Sequence, residues 1–347
     1  GNRVDAYNRS GYHVSGKEFD EKHGKYFQGI RIFTIPTFSS SKLNAIVYSF
    51  LATIRSLFGH YDIVHFHAEG PCIMLWLTKL FGIPTVATIH GLDWQRSKWG
   101  NFASHMLKLG EKTAALHADE VIVLSHNMQD YFQETYGRKT RFIPNGINRP
   151  ILKGDSEIKA KYGLEKDGYI LFLARIVPEK GLHYLLHAFE QIETDKKLVI
   201  AGSSHSQEYV QEMVDLAAKD SRVIMTGFVQ GEVLEELYSN AYCFVLPSDI
   251  EGMALGLLEA MSYGNCCIAS NIPENTEVAE DHALYFEKGN ERDLQKRLEE
   301  VLAHPEQTQK AHQENADFIC GKYNWDRVTE QTLHLYQHVL KARENQK

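Results

Sequence analysis

Two carboxylates and two cations in the second half of the sequence have the types and spacing to hold a sugar nucleotide. Glu251 and Glu259 are eight positions apart across a predicted strand-to-helix junction, because an apolar run ends just before them. Arg175 and Lys180 follow another apolar run in the same way. A helix start offers free N–H groups to an anion, and fixed cations stabilise a departing diphosphate. The alternative is a surface helix with solvated charges.

The residues within this junction favour the same interpretation. Gly252 and Gly256 allow the backbone to approach a ligand closely. Glu259 lies about two turns into the predicted helix, where its carboxylate can accept hydrogen bonds from both hydroxyls of a ribose. Glu251 stays in the loop. We therefore expect the diphosphate at the helix start and the sugar near Glu251.

Histidines follow the predicted strands of the first half. His65 and His67 are two positions apart, so a strand places both side chains on one face. His90 follows a further apolar run, and its imidazole can hydrogen-bond a sugar hydroxyl or a phosphate. The alternative for the first two is a zinc pair, but the sequence offers no third ligand of fitting spacing nearby. We expect polar strand ends that face a cleft, and no bound metal.

In chain order, these motifs resemble those of the retaining GT-B glycosyltransferases that carry a Glu-x7-Glu element. The resemblance implies catalytic roles for His90, Glu251, Arg175 and Lys180, with the two cations on the diphosphate. It implies a donor site formed by Gly202, Phe228, Gly252, Met253, Ala254, Leu255 and Glu259. It also implies transfer with retention, in which the acceptor hydroxyl attacks from the face that the phosphate leaves.

The segment 90–99 is similar to a subgroup associated with cell-surface polysaccharide assembly, which includes rhamnosyltransferases. The similarity implies that His67, Asp93, Trp94 and Lys98 bind the acceptor. Asp93 would hydrogen-bond a sugar, Trp94 would stack on it, and Lys98 would meet a lipid-linked diphosphate. The alternative is that the tryptophans of this segment only anchor a loop.

Alternating strands and helices predict two α/β domains with parallel sheets, whose ligands bind beyond the carboxyl ends of the strands. From the resemblance we expect two facing Rossmann-like domains, an acceptor-side domain at 1–148 and a nucleotide-sugar-binding domain at 149–322. A C-terminal helix at 323–347 is expected to pack back on the first domain. The segment 1–9 is similar to the second strand of the family's first domain, so the family's first strand and glycine-rich loop are expected to be missing.

The composition is typical of a globular protein, with 347 residues, 43% hydrophobic content and a net charge of −8. This charge argues against nucleic acid as a partner, although a local basic patch would still attract anionic lipid. Five cysteines without a Cys-x-x-Cys pair fit a reducing compartment. No apolar run has the length to cross a bilayer, so we expect a cytoplasmic protein, either free or associated with the inner face of the membrane. The apolar segment 44–58 predicts a buried helix face or a membrane contact.

The expected partners are a nucleotide-sugar donor and a saccharide or lipid-linked acceptor, with no cofactor. The chain has no Asp-x-Asp, so a metal-bridged donor site has no candidate in it. Two other classes remain open. A nucleotide-sugar 2-epimerase also uses two facing Rossmann-like domains, and a non-catalytic sugar-nucleotide-binding protein is favoured by the expected lack of the first strand. An acceptor-dependent product would distinguish transfer from both.

Overall fold

The computed structural model describes residues 2–9, 26–37, 44–95, 100–204 and 207–345. The chain divides into two compact units, one formed by Gly1–Phe142 with Thr332–Lys347 and the other by Ile143–Gln331. Each unit combines parallel strands with helices, which confirms the predicted α/β class. The unit boundaries differ by several residues from the boundaries that the sequence suggests.

The first unit contains two sheets. Its strands are β1 (Asp5–Arg9), β2 (Tyr26–Phe27), β3 (Ile30–Ile35), β4 (Val64–His67), β5 (Thr85–Ile89), β6 (Glu120–Val123) and β7 (Arg141–Phe142). Its helices are α1 (Asn44–Leu57), α2 (Glu69–Cys72), α3 (Leu75–Leu80), α4 (Asn101–His117) and α5 (His126–Tyr136). One sheet has the order β1-β3-β2, with β1 and β3 parallel, and the other has the parallel order β4-β5-β6-β7.

The core of the first unit lies between the β4-β5-β6-β7 sheet and its helices. Strand β5 is buried along its whole length, because the Thr-Val-Ala-Thr-Ile run presents few polar groups to either face. Phe132 of α5 and Leu75 of α3 are fully buried against the sheet. Burial of each such side chain contributes about 1.5–3 kcal/mol to folding.

Helix α1 departs from the expectation of an ordinary buried apolar face. Its buried residues are Ser49, Thr53 and Ser56, whereas Phe50 and Leu51 are exposed. The three buried hydroxyls are tolerated because each donates a hydrogen bond of 2.7 Å to a carbonyl one turn earlier in the helix. No helix in the described part of the chain is both long and apolar enough to span a membrane.

The second unit is built on one parallel sheet. Its strands are β8 (Tyr169–Leu173), β9 (Lys197–Ala201), β10 (Val223–Gly227), β11 (Cys243–Leu246), β12 (Cys267–Ser270) and β13 (Leu284–Phe286). Their order is β10-β9-β8-β11-β12-β13. Its helices are α6 (Ser156–Tyr162), α7 (Leu182–Glu190), α8 (Gln207–Ala217), α9 (Glu232–Asn240), α10 (Leu255–Ser262), α11 (Pro273–Ala279), α12 (Glu291–Ala303), α13 (Pro305–Lys322) and α14 (Trp325–Glu344), of which α14 continues into the first unit.

The central strands β8 and β11 carry the core of the second unit. Phe172 and Phe244 are fully buried, as their continuous apolar runs predict. The last part of α14 belongs to the first unit, where Tyr336 hydrogen-bonds His65 and Arg343 donates to the carbonyl of Gly82.

Candidate functional site

Lys180 and Glu251 form a mostly buried ion pair in the second unit. Lys180 Nζ lies 2.5 Å from Glu251 Oε1, and the two side chains are 17% and 7% exposed. They come from different strand ends: Lys180 closes a 3-10 turn after β8, and Glu251 lies in the loop after β11. Because β8 and β11 are parallel neighbours, their carboxyl ends share one edge of the sheet. The fold therefore joins two charges that are 71 positions apart in the chain.

Backbone contacts hold these two loops together. The N–H of Asp249 donates to the carbonyl of Glu179 at 2.9 Å. Gly181 has a φ of 66°, and a Cβ at this position would lie 2.0 Å from the carbonyl oxygen of Pro247. Only glycine permits this close approach. The ion pair is consequently fixed in advance of any ligand.

The start of helix α10 lies a few residues beyond Glu251 and has no side-chain cap in the described structure. Gly252, Met253 and Ala254 are buried at this junction, whereas Leu255 is exposed. The backbone N–H of Asn145 donates to Met253 Sδ at 3.3 Å, which anchors the junction from the start of the second unit. An uncapped helix start next to a lysine suits an anionic group.

Glu259 lies in the second turn of α10, where its side chain is exposed at the helix surface. Its Oε2 accepts a hydrogen bond of 3.0 Å from the hydroxyl of buried Tyr238. Desolvation raises the pKa of the Glu259 carboxyl, and the Tyr238 hydrogen bond acts in the opposite direction. The other oxygen, Oε1, remains available as an acceptor for a hydroxyl.

The remaining predicted donor residues follow strands at the same edge of the sheet. Gly202 follows β9 with a φ of 144°, and a Cβ there would lie 1.9 Å from the carbonyl oxygen of Ala174. Phe228 follows β10 and is 70% exposed, so its ring is outside the core. Arg175 is exposed after β8, and its side chain forms no ion pair or hydrogen bond with the described residues. The structure therefore brings Lys180, not Arg175, into contact with Glu251.

Three histidines form a stacked row in the first unit. The rings of His65 and His67 are 4.3 Å apart and nearly parallel, and those of His67 and His90 are 5.4 Å apart. His67 Nδ1 lies 3.2 Å from His90 Nε2. His65 is held by the hydroxyls of Tyr336 at 2.6 Å and Thr88 at 2.7 Å. The row arises because β4 and β5 are parallel neighbours, with His67 opposite Thr88.

The surroundings keep these imidazoles neutral. The pKa of His65 is lowered to about 3, first by burial and then by the charges of His67 and His90. Burial and His90 lower the pKa of His67, although part of this residue is exposed to solvent. Burial lowers the pKa of His90, and Asp93 opposes this effect. At neutral pH the row therefore offers hydrogen-bonding nitrogens instead of positive charge.

Asp93 and Trp94 lie in a 3-10 turn, Asp93–Gln95, shortly after His90. The indole Nε1 of Trp94 donates to Glu111 Oε2 at 2.9 Å, and Lys108 Nζ lies 4.3 Å from the centre of its ring. Lys98, the fourth predicted acceptor residue, lies outside the described residues. The structure thus supports the anchoring interpretation of Trp94 on the side that faces Lys108.

Sequence reasoning missed the residues that hold these side chains. Glu111 and Tyr238 are buried polar residues on helices, and a helix pattern alone reads a glutamate as solvated. The sequence does contain a sign that Glu111 is buried. It follows Gly110, and the other buried residues of this helix face are alanines. Tyr336 is remote in sequence from His65, and only the fold brings them together. Among the described residues, no group of three or more His, Cys, Asp or Glu is arranged to hold a metal ion.

Two α/β units with parallel sheets and polar groups at the carboxyl ends of their strands are the architecture of GT-B glycosyltransferases. Residues 154–317 match the family described as Glycosyl transferases group 1, and residues 2–149 match Glycosyltransferase Family 4. The chain therefore carries a Glycosyl transferases group 1 domain and a Glycosyltransferase Family 4 domain, and its fold is GT-B.

Known proteins agree with this assignment. The chain is 27% identical over 288 residues to an alpha-maltose-1-phosphate synthase of Mycolicibacterium smegmatis, covering 75% of this chain and 74% of that protein. Its fold matches the sucrose-phosphate synthase of Thermosynechococcus elongatus with a TM-score of 0.81 at 22% identity, over 98% of this chain and 90% of that one. It also matches Anabaena HepE, solved with UDP and glucose, with a TM-score of 0.80 at 17% identity, over 97% and 99% of the two chains.

Proposed function

We propose that the protein transfers a hexosyl group from a nucleoside-diphosphate sugar to a saccharide or lipid-linked acceptor, with retention of configuration at the sugar. The observation that carries this proposal is the Lys180–Glu251 pair beside the uncapped start of α10. Lys180 pairs with a residue of the loop that leads into α10, and both a fixed ammonium and the free N–H groups of a helix start stabilise the negative charge that a departing diphosphate develops. The UDP complex of the structurally similar HepE supports a nucleotide-sugar donor.

The donor would lie along the edge of the second sheet. Its diphosphate would meet Lys180 and the first turn of α10, and exposed Arg175 would approach it when the ligand is present. Glu259 would accept the ribose hydroxyls through the oxygen that Tyr238 leaves available. Exposed Phe228 would pack near the base. Because Gly202 and Gly252 have no side chain, the donor would be able to approach the backbone closely at these positions.

The reaction that we propose uses the leaving phosphate as the base. The bond from the anomeric carbon to the diphosphate oxygen breaks, the acceptor hydroxyl forms a new bond on the same face, and its proton passes to the phosphate. Lys180 stabilises the charge on the diphosphate, and Glu251 holds Lys180 in place. Neutral His90 would hydrogen-bond the sugar or the phosphate. We propose that no metal or cofactor takes part, since lysine and the helix start supply the compensating charge.

The acceptor would bind at the histidine row and the turn Asp93–Gln95. His67 and His90 present neutral nitrogens there, and Asp93 adds a carboxylate. Such a set recognises sugar hydroxyls. The similarity of the segment 90–99 to rhamnosyltransferases supports a role in cell-surface polysaccharide synthesis, with Lys98 on a lipid-linked diphosphate.

We further propose that the protein works at the inner face of the membrane and contacts it through helix α4. Three exposed apolar residues recur every seven positions and so lie along one face: Phe102, Leu109 and Leu116. Exposed cationic and histidine residues lie beside them: His105, Lys108 and Lys112. The acidic residue of this helix, Glu111, is buried. In a chain of net charge −8, this basic-apolar face is suited to anionic lipid.

A panel of UDP-, GDP- and dTDP-sugars tests the proposal. A donor that binds only the folded state raises the melting temperature, and at equal concentration a tighter donor raises it further. The donor that binds is then incubated with octyl glycosides, and the products are identified by mass spectrometry. Glycoside extended by one sugar supports transfer, and an altered donor sugar without acceptor indicates a 2-epimerase. A donor that binds but does not react indicates a non-catalytic binding protein, and a panel without any thermal shift refutes the donor site.

A further inference from the structure

Trp94 is held on two sides by residues of helix α4. Its indole Nε1 donates to Glu111 at 2.9 Å, and the ammonium of Lys108 lies over its ring at 4.3 Å from the centre. One hydrogen bond fixes the direction of the ring, and one cation covers a face of it. The indole therefore has a defined orientation in the turn Asp93–Gln95, and one face is already occupied.

Glu111 is the centre of this arrangement and is fully buried. While Oε2 accepts from Trp94, Oε1 accepts from the hydroxyls of Tyr131 at 2.8 Å and Tyr136 at 2.5 Å. Three donors around one side chain satisfy its carboxyl oxygens away from water. Glu111 thereby links helix α4, helix α5 and the turn that follows His90.

A second buried carboxyl, Glu69, lies beside the first. Burial raises the pKa of Glu69 to about 10, the neighbouring Glu111 adds to this effect, and the backbone of Trp94 opposes it. Gly110 explains how the two come together, since a Cβ there would lie 1.9 Å from the carbonyl oxygen of Glu69. Both carboxyl oxygens of Glu69 are buried without a hydrogen-bond partner among the described residues, which favours the neutral form of this carboxyl.

We propose that Glu111 is a positioning residue that fixes Trp94 and the turn Asp93–Gln95 for acceptor binding. The inference deepens the proposed function and rests on it. Glu111 is buried and does not touch substrate, so it acts through Trp94. A fixed turn keeps Asp93 beside His90 and presents the face of the indole opposite Lys108 to a sugar ring.

A buried glutamate elsewhere in the chain provides a matched control. Glu236 is also buried and also accepts three hydrogen bonds, from Ser156 Oγ and from the N–H groups of Glu157 and Ile158. Those donors form the start of helix α6, which contains none of the residues predicted to bind a ligand. The same Glu→Gln change at Glu236 therefore removes a buried carboxylate without disturbing the turn at Trp94.

The test compares Glu111→Gln with Glu236→Gln in the full chain. The indole N–H resonance of Trp94 is assigned with Trp94→Phe and followed in 15N-labelled protein. Kinetics use the donor chosen by the thermal-shift panel and the octyl glycoside that it extends. In Glu111→Gln we expect a shifted indole resonance and an acceptor KM raised about tenfold or more, because an amide offers a donor where the carboxylate accepted one. The donor KM should stay within about twofold.

Each outcome decides one question. An unshifted indole resonance, or an unchanged acceptor KM in an active Glu111→Gln enzyme, overturns the positioning role alone. An equal rise of acceptor KM in Glu236→Gln also overturns it, because the effect would then follow from lost stability. Wild-type protein that binds a donor but extends no glycoside refutes the proposed function, and the positioning role falls with it.

Discussion

Replacement of Lys180 by methionine tests the charge that the donor site depends on. Methionine keeps an unbranched side chain of similar length, so the main change is the loss of the ammonium beside Glu251. At an effective dielectric of about 20, unit charges 2.5 Å apart attract by roughly 7 kcal/mol before any cost of desolvation. Removal of one partner from a buried pair typically costs about 3–5 kcal/mol. We therefore expect Lys180→Met to lower both stability and turnover.

A second substitution separates the two effects. In Lys180→Met with Glu251→Gln, the pair is neutral, so no uncompensated charge is buried and part of the stability returns. Turnover should stay about 100- to 1,000-fold below wild type, the usual loss when a fixed group that stabilises developing charge is removed. Lys197→Met is the matched surface control, since Lys197 Nζ is exposed and donates only to the carbonyl of Gly163.

Turnover is measured with saturating donor, and stability by urea unfolding of the same preparations. We expect the double variant to fold and to have a low turnover. If the double variant recovers wild-type turnover, Lys180 serves only to neutralise Glu251, and the assignment of the diphosphate to this place is wrong. If Lys197→Met loses as much activity as Lys180→Met, the effect is a general loss of charge.

Four further outcomes are expected. Glu259→Gln should weaken donor affinity about tenfold while turnover at saturation changes little, measured by calorimetric titration with the donor, because one charged hydrogen-bond acceptor is lost. Gly202→Ala should lower the urea midpoint, since its Cβ would lie 1.9 Å from a carbonyl oxygen, and an unchanged midpoint would contradict the close approach. His65 has a folded pKa of about 3, below its unfolded value, so its contribution to stability is complete above pH 6.5 and is lost as pH falls toward 3. The urea midpoint of His65→Gln should therefore change less between pH 7 and pH 5 than the wild-type midpoint does. Leu109→Glu should reduce cosedimentation with phosphatidylglycerol vesicles and exposed Leu152→Glu should not, whereas equal binding of both would exclude the basic-apolar face.

Much of the fold followed from local pattern. Apolar runs such as those of β8 and β11 predict buried parallel strands because both faces of such a strand are covered by helices. The two-residue spacing of His65 and His67 predicts one shared face, and the rings stack at 4.3 Å. The buried face of helix α1 could not be predicted in this way, because its buried residues carry hydroxyls that donate hydrogen bonds to carbonyls of the same helix. Pattern rules assign hydroxyl residues to the protein surface. That assumption fails where the hydroxyls donate hydrogen bonds to carbonyls of their own helix.

The amino-acid sequence by itself determined the order of strands and helices and placed charged and polar residues at the ends of strands, because side-chain periodicity is a local property of the backbone. It also gave the prediction that Arg175 and Lys180 lie at a diphosphate and Glu251 near the sugar. The tertiary structure decided which of these residues touch. It paired Lys180 with Glu251 and left Arg175 exposed, and it tied Trp94 to buried Glu111, since contacts between distant segments depend on which strands lie side by side.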